Sequence, residues 1–181
     1  MKRFLFCAML MLVISTTLSA QEKANSFRRV EIGWNALSMA RVEGLNGWGG
    51  QLGVGINVTP SIAIVGDFDA HRNNDLGTLD LYGYRVGPRF YSRYGDRVRT
   101  FGHVLVGGAQ LKVSETIGGV TASESVNGFA MAVGGGVDVG IKPWFAIRAG
   151  QFDYNYMRFQ GSTLDGFRVG AGVVFRMGPK S

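Results

Sequence analysis

Cysteine and histidine are scarce in this sequence. Its 181 residues include a single cysteine, Cys7, and two histidines, His71 and His103. Two histidines far apart in the chain do not match the usual zinc-ligand spacings. Cys7 lies inside an apolar run, whereas the acceptor cysteine of a lipoprotein follows such a run. We therefore predict no disulfide, no metal site and no cofactor.

Long hydrophobic runs are absent beyond the N-terminus. Lys2-Arg3 precedes an apolar run from Phe4 to Leu18, and Ala20 provides a small residue before a cleavage point. This pattern predicts a signal peptide over residues 1–20 and a mature domain over residues 21–181; the alternative is an uncleaved N-terminal anchor. No later stretch approaches the ~20 apolar residues of a membrane helix.

A concentrated charge of one sign is also missing. The chain has 19 basic and 13 acidic residues, for a formal charge of +6, and the basic residues are spread along its length. Nucleic-acid-binding domains cluster their basic residues on one face or along one helix. The sequence therefore argues against a nucleic-acid partner.

Glycine, in contrast, is abundant, and apolar residues alternate with small or polar ones. The 28 glycines are about twice the usual share. In residues 48–58, Leu52, Val54 and Ile56 fall on one face, opposite Gln51 and three glycines. The same period of two recurs in residues 129–141 and 167–177, which is typical of β-strands.

The second face of these strands distinguishes between two kinds of β-protein. It carries glycine, alanine and isolated charges instead of the Lys, Glu, Thr and Ser that cover a soluble sheet. Small residues fit the narrow interior of a barrel whose large apolar residues face lipid. We predict an all-β fold, an eight-stranded antiparallel up-and-down transmembrane β-barrel; the alternative is a soluble periplasmic sandwich. The predicted strands are residues 27–37, 48–58, 62–70, 79–91, 101–112, 129–141, 145–158 and 167–177.

Some details of these strands stay open or depend on single residues. The side-chain phase of the fourth and fifth strands is ambiguous, and Gly150 is a candidate bulge that exchanges the two faces of the seventh. Aromatic residues near the two membrane interfaces would form girdles. These are Trp48, Phe90, Tyr91, Trp144, Tyr154 and Tyr156.

The predicted connections alternate between short and long, as in outer-membrane barrels. The short links are residues 59–60, 92–97 and 142–143. The longer polar links are Ser38–Asn46, His71–Gly77, Val113–Val126 and Met157–Leu164. Short periplasmic turns and long external loops would account for this alternation. We expect an external partner to bind at the loops Ser38–Asn46 and Val113–Val126, since loops on a rigid scaffold commonly carry recognition.

Several segments resemble the small outer-membrane β-barrel domain family, the OmpA- and OmpX-like barrels. The resemblance covers nearly all of the mature chain and rests on residues 86–90, 104–109, 134–138, Arg148 with Asp153-Tyr154, and 168–175. It implies insertion into the outer membrane, contact with its lipid and lipopolysaccharide, and recognition by the barrel-assembly machinery. The implied assembly signal is Arg168, Gly170, Val173 and Phe175, although six residues follow Phe175. No peptidoglycan-binding domain is expected.

Charged residues on the inner face form the candidate functional site. They are Glu31, Asp67, Asp69, Asp138, Arg148, Arg168 and Arg176. Isolated charges in a narrow interior are costly unless they pair, so we predict an ion-pair network that fills the lumen. The favoured function is a structural envelope component or a surface-loop interaction module.

Two alternative functions remain open on the sequence alone. One is a narrow, porin-like channel, in which a change of ion-pair partners would open a path for water. The other is a lipid-modifying enzyme. We expect no enzymatic activity, because neither His71 nor His103 lies in a recognisable serine-containing motif, although His71 is close to Asp69 in the sequence.

Overall fold

The computed structural model describes residues 30–42, 45–73, 78–117, 120–159 and 162–178. They form eight antiparallel strands, and pairing of the first with the last closes the barrel, which confirms the predicted fold. The strands are β1 Val30–Val42, β2 Leu45–Thr59, β3 Ile62–Asn73, β4 Thr78–Tyr94, β5 Val98–Ile117, β6 Val120–Lys142, β7 Phe145–Phe159 and β8 Ser162–Met177. The predicted signal peptide and residues 27–29 of the first predicted strand lie outside the described residues.

The period-two pattern decides which face of each strand meets lipid. Leu52 and Val54 are 44% and 45% exposed, whereas Gln51, which shares the opposite face with Gly49 and Gly53, is 4% exposed. Exposed large apolar residues occur in the same way on all eight strands. A closed barrel satisfies the backbone hydrogen bonds of every strand internally, as the hydrocarbon core requires. Within the described ranges, no helix is long and apolar enough to cross a membrane.

The strands are longer than predicted at one end of the barrel. β1 continues to Val42 and β2 begins at Leu45, so most of the predicted loop Ser38–Asn46 is strand. The predicted loop Val113–Val126 is likewise wrong, because β5 and β6 pair from Lys112↔Ser125 to Ile117↔Val120. Polar residues in these segments indicate contact with water. They do not mark the end of a strand, because a hairpin can continue beyond the membrane.

The predicted link Met157–Leu164 is also wrong, because β7 continues to Phe159 and β8 begins at Ser162, and residues 160–161 lie outside the described ranges. The short links agree better with the prediction. Turns at residues 60–61, 95–97 and 143–144 lie at or beside the short links, and Gly95 adopts a left-handed φ of 64°. The link predicted over 71–77 is strand as far as Asn73, and residues 74–77 lie outside the described ranges. We call the end with the three turns the turn end and the opposite end of the barrel the loop end.

Two bulges change which side chains face the lumen. In β7 the register shifts between Arg148 and Gln151, so the bulge predicted at Gly150 is confirmed. In β1 an unpredicted bulge between Asn35 and Ser38 reverses the phase. Up to the bulge, Glu31, Gly33 and Asn35 face inward, and after it Ser38 and Ala40 do. Two residues opposite one across the ladder produce this reversal.

The structure also resolves the ambiguous strands. Arg85 and Arg89 of β4, and Arg99 and His103 of β5, face the lumen. Tyr91 is 7% exposed and packs edge-on against Phe101 at a centroid distance of 6.3 Å, so its assignment to an aromatic girdle is wrong. It belongs to the interior because it shares the phase of Arg85 and Arg89. The other five predicted girdle residues face outward.

Charged residues form a rim around the outside of the barrel at the loop end. They are Arg41, Arg72, Asp80, Lys112, Arg158 and Asp165. Arg72 donates from Nε to Asp80 Oδ1 at 2.6 Å and from Nη2 to Asp80 Oδ2 at 3.1 Å. These two hydrogen bonds lower the pKa of Asp80. Because charged side chains are costly in hydrocarbon, this rim marks where the lipid-facing surface ends.

Candidate functional site

The interior of the barrel contains a cluster of charges near the turn end. Arg99 Nη2 donates to Asp138 Oδ2 at 3.1 Å and also to Glu31. Arg148 Nε donates to Asp138 Oδ1 at 2.9 Å, and Arg176 Nε lies 3.4 Å from Glu31 Oε2. These residues come from β1, β5, β6, β7 and β8, so the cluster connects most of the circumference of the barrel.

Aromatic rings support the cations of this cluster. The Arg99 guanidinium lies 4.0 Å from the centroid of the Tyr91 ring, and the Tyr91 hydroxyl donates to Glu31 Oε1 at 3.0 Å. Arg89 and Arg148 each lie 4.5 Å from the centroid of the Phe101 ring. Cation–π contacts are strongest where the cation is desolvated, as in this lumen. The rings also occupy space that water would otherwise fill.

A second cluster of charges lies closer to the loop end and has Arg168 at its centre. Arg168 Nη1 donates to Asp69 Oδ1 at 2.6 Å and to Asp67 Oδ1 at 3.1 Å. Its Nη2 donates to Asp153 Oδ2 at 2.6 Å. Arg85 also donates to Asp69. One guanidinium of β8 therefore joins carboxylates of β3 and β7 across the lumen.

Amide side chains join the two clusters. Arg148 Nη1 donates to Gln151 Oε1 at 3.0 Å, and Gln151 Nε2 donates to Asp153 Oδ2 at 2.7 Å. On the other side, Asn35 Nδ2 donates to Gln51 Oε1 at 2.6 Å, and Gln51 donates to Asp67. The hydrogen bonds thus form one continuous network along the lumen. Fully paired networks make an interior rigid, and here a few buried nitrogens of the network, among them Arg85 Nε and Arg99 Nε, form no hydrogen bond.

The structure buries six of the seven charged residues of the candidate site in these two clusters, and the seventh, Arg176, is half-buried beside Glu31 in the first cluster. Five further titratable side chains that the sequence did not identify as members of the site are buried there: Arg85, Arg89, Arg99, Asp153 and His103. Among the described residues, the network thus sets six arginines against five carboxylates. The missed residues lie on the strands whose phase was ambiguous or which contain the β7 bulge. A consistent alternation through Arg85 and Arg89 was the available signal.

Across the part of the chain that the structure describes, no three His, Cys, Asp or Glu side chains are placed to hold a metal ion. In the segment predicted to be the assembly signal, Arg168 faces the lumen and Phe175 faces outward. Its recognition by the assembly machinery stays a prediction.

The family follows from the sequence of the whole barrel. Residues 5–176 match the model of the family described as outer membrane protein beta-barrel domain. The chain belongs to this family. It is an outer-membrane β-barrel protein, as the resemblance in its strands implies. No curated protein matches its sequence.

Solved structures show the same fold at low sequence identity. Neisserial surface protein A is 14% identical with a TM-score of 0.63, over 82% of this chain and 96% of that one. Ail, the attachment invasion locus protein of Yersinia pestis, is 22% identical with a TM-score of 0.53, over 81% and 97%. OprG from Pseudomonas aeruginosa is 8% identical with a TM-score of 0.53, over 86% and 99%.

Proposed function

We propose that this protein is a closed, non-conducting envelope barrel that displays the β5–β6 hairpin outside the membrane as an interaction surface. The bonding of Arg168 to Asp67, Asp69 and Asp153 carries the first part of this proposal. Eight strands enclose a lumen just wide enough for side chains. Here those side chains form ion pairs within each cluster and amide hydrogen bonds from one cluster to the other, and this filling of the interior supports a lumen closed to water.

The hairpin carries the second part of the proposal. Beyond the rim residue Lys112, β5 and β6 form five further residue pairs, ending at Ile117↔Val120. Five pairs extend roughly 17 Å along the strands. The segment 113–126 is rich in Ser, Thr and Glu, which suits an aqueous environment. Ail, whose fold is similar, is named the attachment invasion locus protein, and its structure is in complex with a heparin analogue, which supports surface attachment as the role.

Planar-bilayer recording tests the closed lumen. We expect purified, folded protein to give no stable conductance steps. The variant Arg168→Ala is the matched comparison, because it removes the side chain at the centre of the second cluster. Stable steps from the unaltered protein, changed in size by Arg148→Ala, would replace this proposal with the narrow-channel alternative.

Cysteine labelling tests the display of the hairpin. The only natural cysteine, Cys7, lies in the predicted signal peptide. A Thr116→Cys variant should react with a membrane-impermeant maleimide on intact cells. An Asp96→Cys variant, at a turn of the opposite end, should react only after the outer membrane is permeabilised. The reverse pattern would show that the barrel has the opposite orientation and would overturn the display of the hairpin.

A further inference from the structure

Three buried side chains on β1 and β3 have the arrangement of a nucleophile, a base and an orienting carboxylate. Ser38 Oγ lies 2.8 Å from His71 Nε2, and His71 Nδ1 lies 3.3 Å from Asp69 Oδ2. The two ring nitrogens thus face a hydroxyl and a carboxylate respectively. A serine hydroxyl on one nitrogen and a carboxylate on the other is the geometry of serine hydrolases, which occurs on unrelated folds.

Two local features of the fold bring Ser38 and His71 together. The bulge at residues 35–38 turns Ser38 into the lumen, where a regular strand would point it at lipid. Gly49 lies between them, since it pairs with Ser38 on one side and with His71 on the other. A Cβ at Gly49 would lie 2.8 Å from His71 Cα. A Cβ there would also overlap the Ala70 carbonyl oxygen, so glycine at this position allows β3 to lie close to β2 and places His71 within reach of Ser38.

The carboxylate of this group is held by charges of the second cluster. Asp69 accepts hydrogen bonds from Arg85 and, at 2.6 Å, from Arg168 Nη1, and its side chain is 2% exposed. These cations keep the Asp69 carboxylate in position beside Nδ1 of the His71 imidazole. Asp69 Oδ2 lies near His71 Nδ1 without the geometry of a hydrogen bond. A carboxylate in this place favours the tautomer with hydrogen on Nδ1, so Asp69 would act as a positioning residue while Nε2 accepts the proton of Ser38.

An apolar cavity of about 210 Å³ lies directly beside His71 at the loop end of the lumen. His71 itself lines it, as does Ala40, the next inward position after Ser38 on β1. The large apolar side chains of its wall are Val42, Leu79, Leu81, Leu111, Met157 and Leu164. A dry apolar cavity of roughly 150 Å³ accommodates benzene, so this one has room for a short acyl chain.

We propose that Ser38, His71 and Asp69 form an esterase site for esters of short aliphatic acids, with the acyl chain in the apolar cavity. This goes beyond the closed barrel and displayed hairpin, and it departs from the sequence-based expectation of no enzymatic activity. Sequence motifs could not reveal such a site, because Ser38 lies on β1 while Asp69 and His71 lie on β3, with β2 between them.

The reaction balances with water as the only co-reactant. Ser38 Oγ attacks the ester carbonyl carbon while its proton passes to His71 Nε2, and the ester C–O bond breaks as the alcohol takes that proton. Water then attacks the acyl group on Ser38 and gives a proton to His71. The acid is released, and the proton returns to Ser38 Oγ.

Hydrolysis of p-nitrophenyl esters by folded protein in detergent tests the site. We expect turnover of the butyrate ester, and a loss of at least about 100-fold in Ser38→Ala and in His71→Gln. His103→Gln is the matched control, because His103 is an equally buried lumen histidine, 2.9 Å from Asp153 Oδ1. The esterase activity of His103→Gln should equal that of the unaltered protein. Each variant is first checked for the shift of the folded band on unboiled gels.

Covalent labelling and chain length distinguish catalysis from a purely structural role. A fluorophosphonate should label Ser38, as located by mass spectrometry, and Met157→Ala should shift the preferred ester to a longer chain. Folded protein that hydrolyses no ester above background and leaves Ser38 unlabelled would overturn the proposal. Ser38 would then serve only as a hydrogen-bond partner of His71. An unchanged chain-length preference in Met157→Ala would overturn the assignment of the cavity to the acyl chain.

Discussion

Arg168 and Asp153 lie directly opposite each other on β8 and β7, and two guanidinium nitrogens of Arg168 donate to the same carboxylate oxygen. Nη2 is 2.6 Å and Nε is 3.0 Å from Asp153 Oδ2. The remaining nitrogen, Nη1, is thereby directed at Asp67 and Asp69. The pair across one strand ladder therefore fixes the geometry of a contact that crosses the lumen.

The first prediction concerns the removal of this guanidinium. Arg168→Met leaves three buried carboxylates without their shared cation, and we expect it to lower the free energy of unfolding by about 3–5 kcal/mol. Arg41→Met on the exposed rim is the control and should change it little. Urea titration of tryptophan fluorescence in lipid vesicles measures both. Equal values for the two variants would contradict a structural role for the second cluster.

The second prediction concerns close contact between β6 and β7. A Cβ at Gly134 would overlap the Phe152 carbonyl oxygen and lie 2.6 Å from Asp153 Cα. Gly134→Ala should therefore destabilise the barrel by about 1–3 kcal/mol, since the backbone must move. The inward-facing Gly53 is the control, because a Cβ there has its nearest neighbour at 3.9 Å. The same vesicle titration should show Gly53→Ala close to the unaltered protein.

The third prediction concerns the lipid-facing surface. Val54 is 45% exposed near the middle of β2, and Val98 is 36% exposed beside a turn. Arginine at the midplane of an outer-membrane barrel costs about 2–4 kcal/mol, and about 0–1 kcal/mol near an interface. We expect Val54→Arg to show the larger loss of folding free energy in vesicles. Equal small losses would indicate that the exposed apolar face of β2 does not contact lipid.

The fourth prediction distinguishes the two segments that the sequence predicts to be binding loops. Replacing residues 38–46 with a short turn removes β1 pairing to both β2 and β8, from Ser38↔Gly49 and Ser38↔Gly170 outward. The band shift between unboiled and boiled samples should then be lost. Replacing residues 113–124 with Asn-Gly removes only the projecting end of the β5–β6 ladder and should preserve the shift. A folded barrel from both variants would contradict the extension of β1 to Val42 and of β2 back to Leu45.

The sequence determined the fold class because alternation is a local property. Large apolar residues such as Leu52 and Val54 recur with period two, and this is enough to indicate strands with one lipid-facing side. The number of strands and the three turns follow from the same pattern. Strand ends at the loop end did not follow, because polarity reports contact with water and hairpins also form in water.

Only the tertiary structure decided which polar side chains meet. Glycines at positions 83 and 87 weaken the alternation through Arg85 and Arg89, and pairing with the neighbouring strands established the inward phase of these two arginines. Ser38 and His71 are remote in sequence and separated by a strand. Their contact depends on a bulge, on a missing side chain at Gly49 and on closure of the barrel. Closure makes side chains neighbours through curvature and register, and neither quantity is encoded in the local alternation.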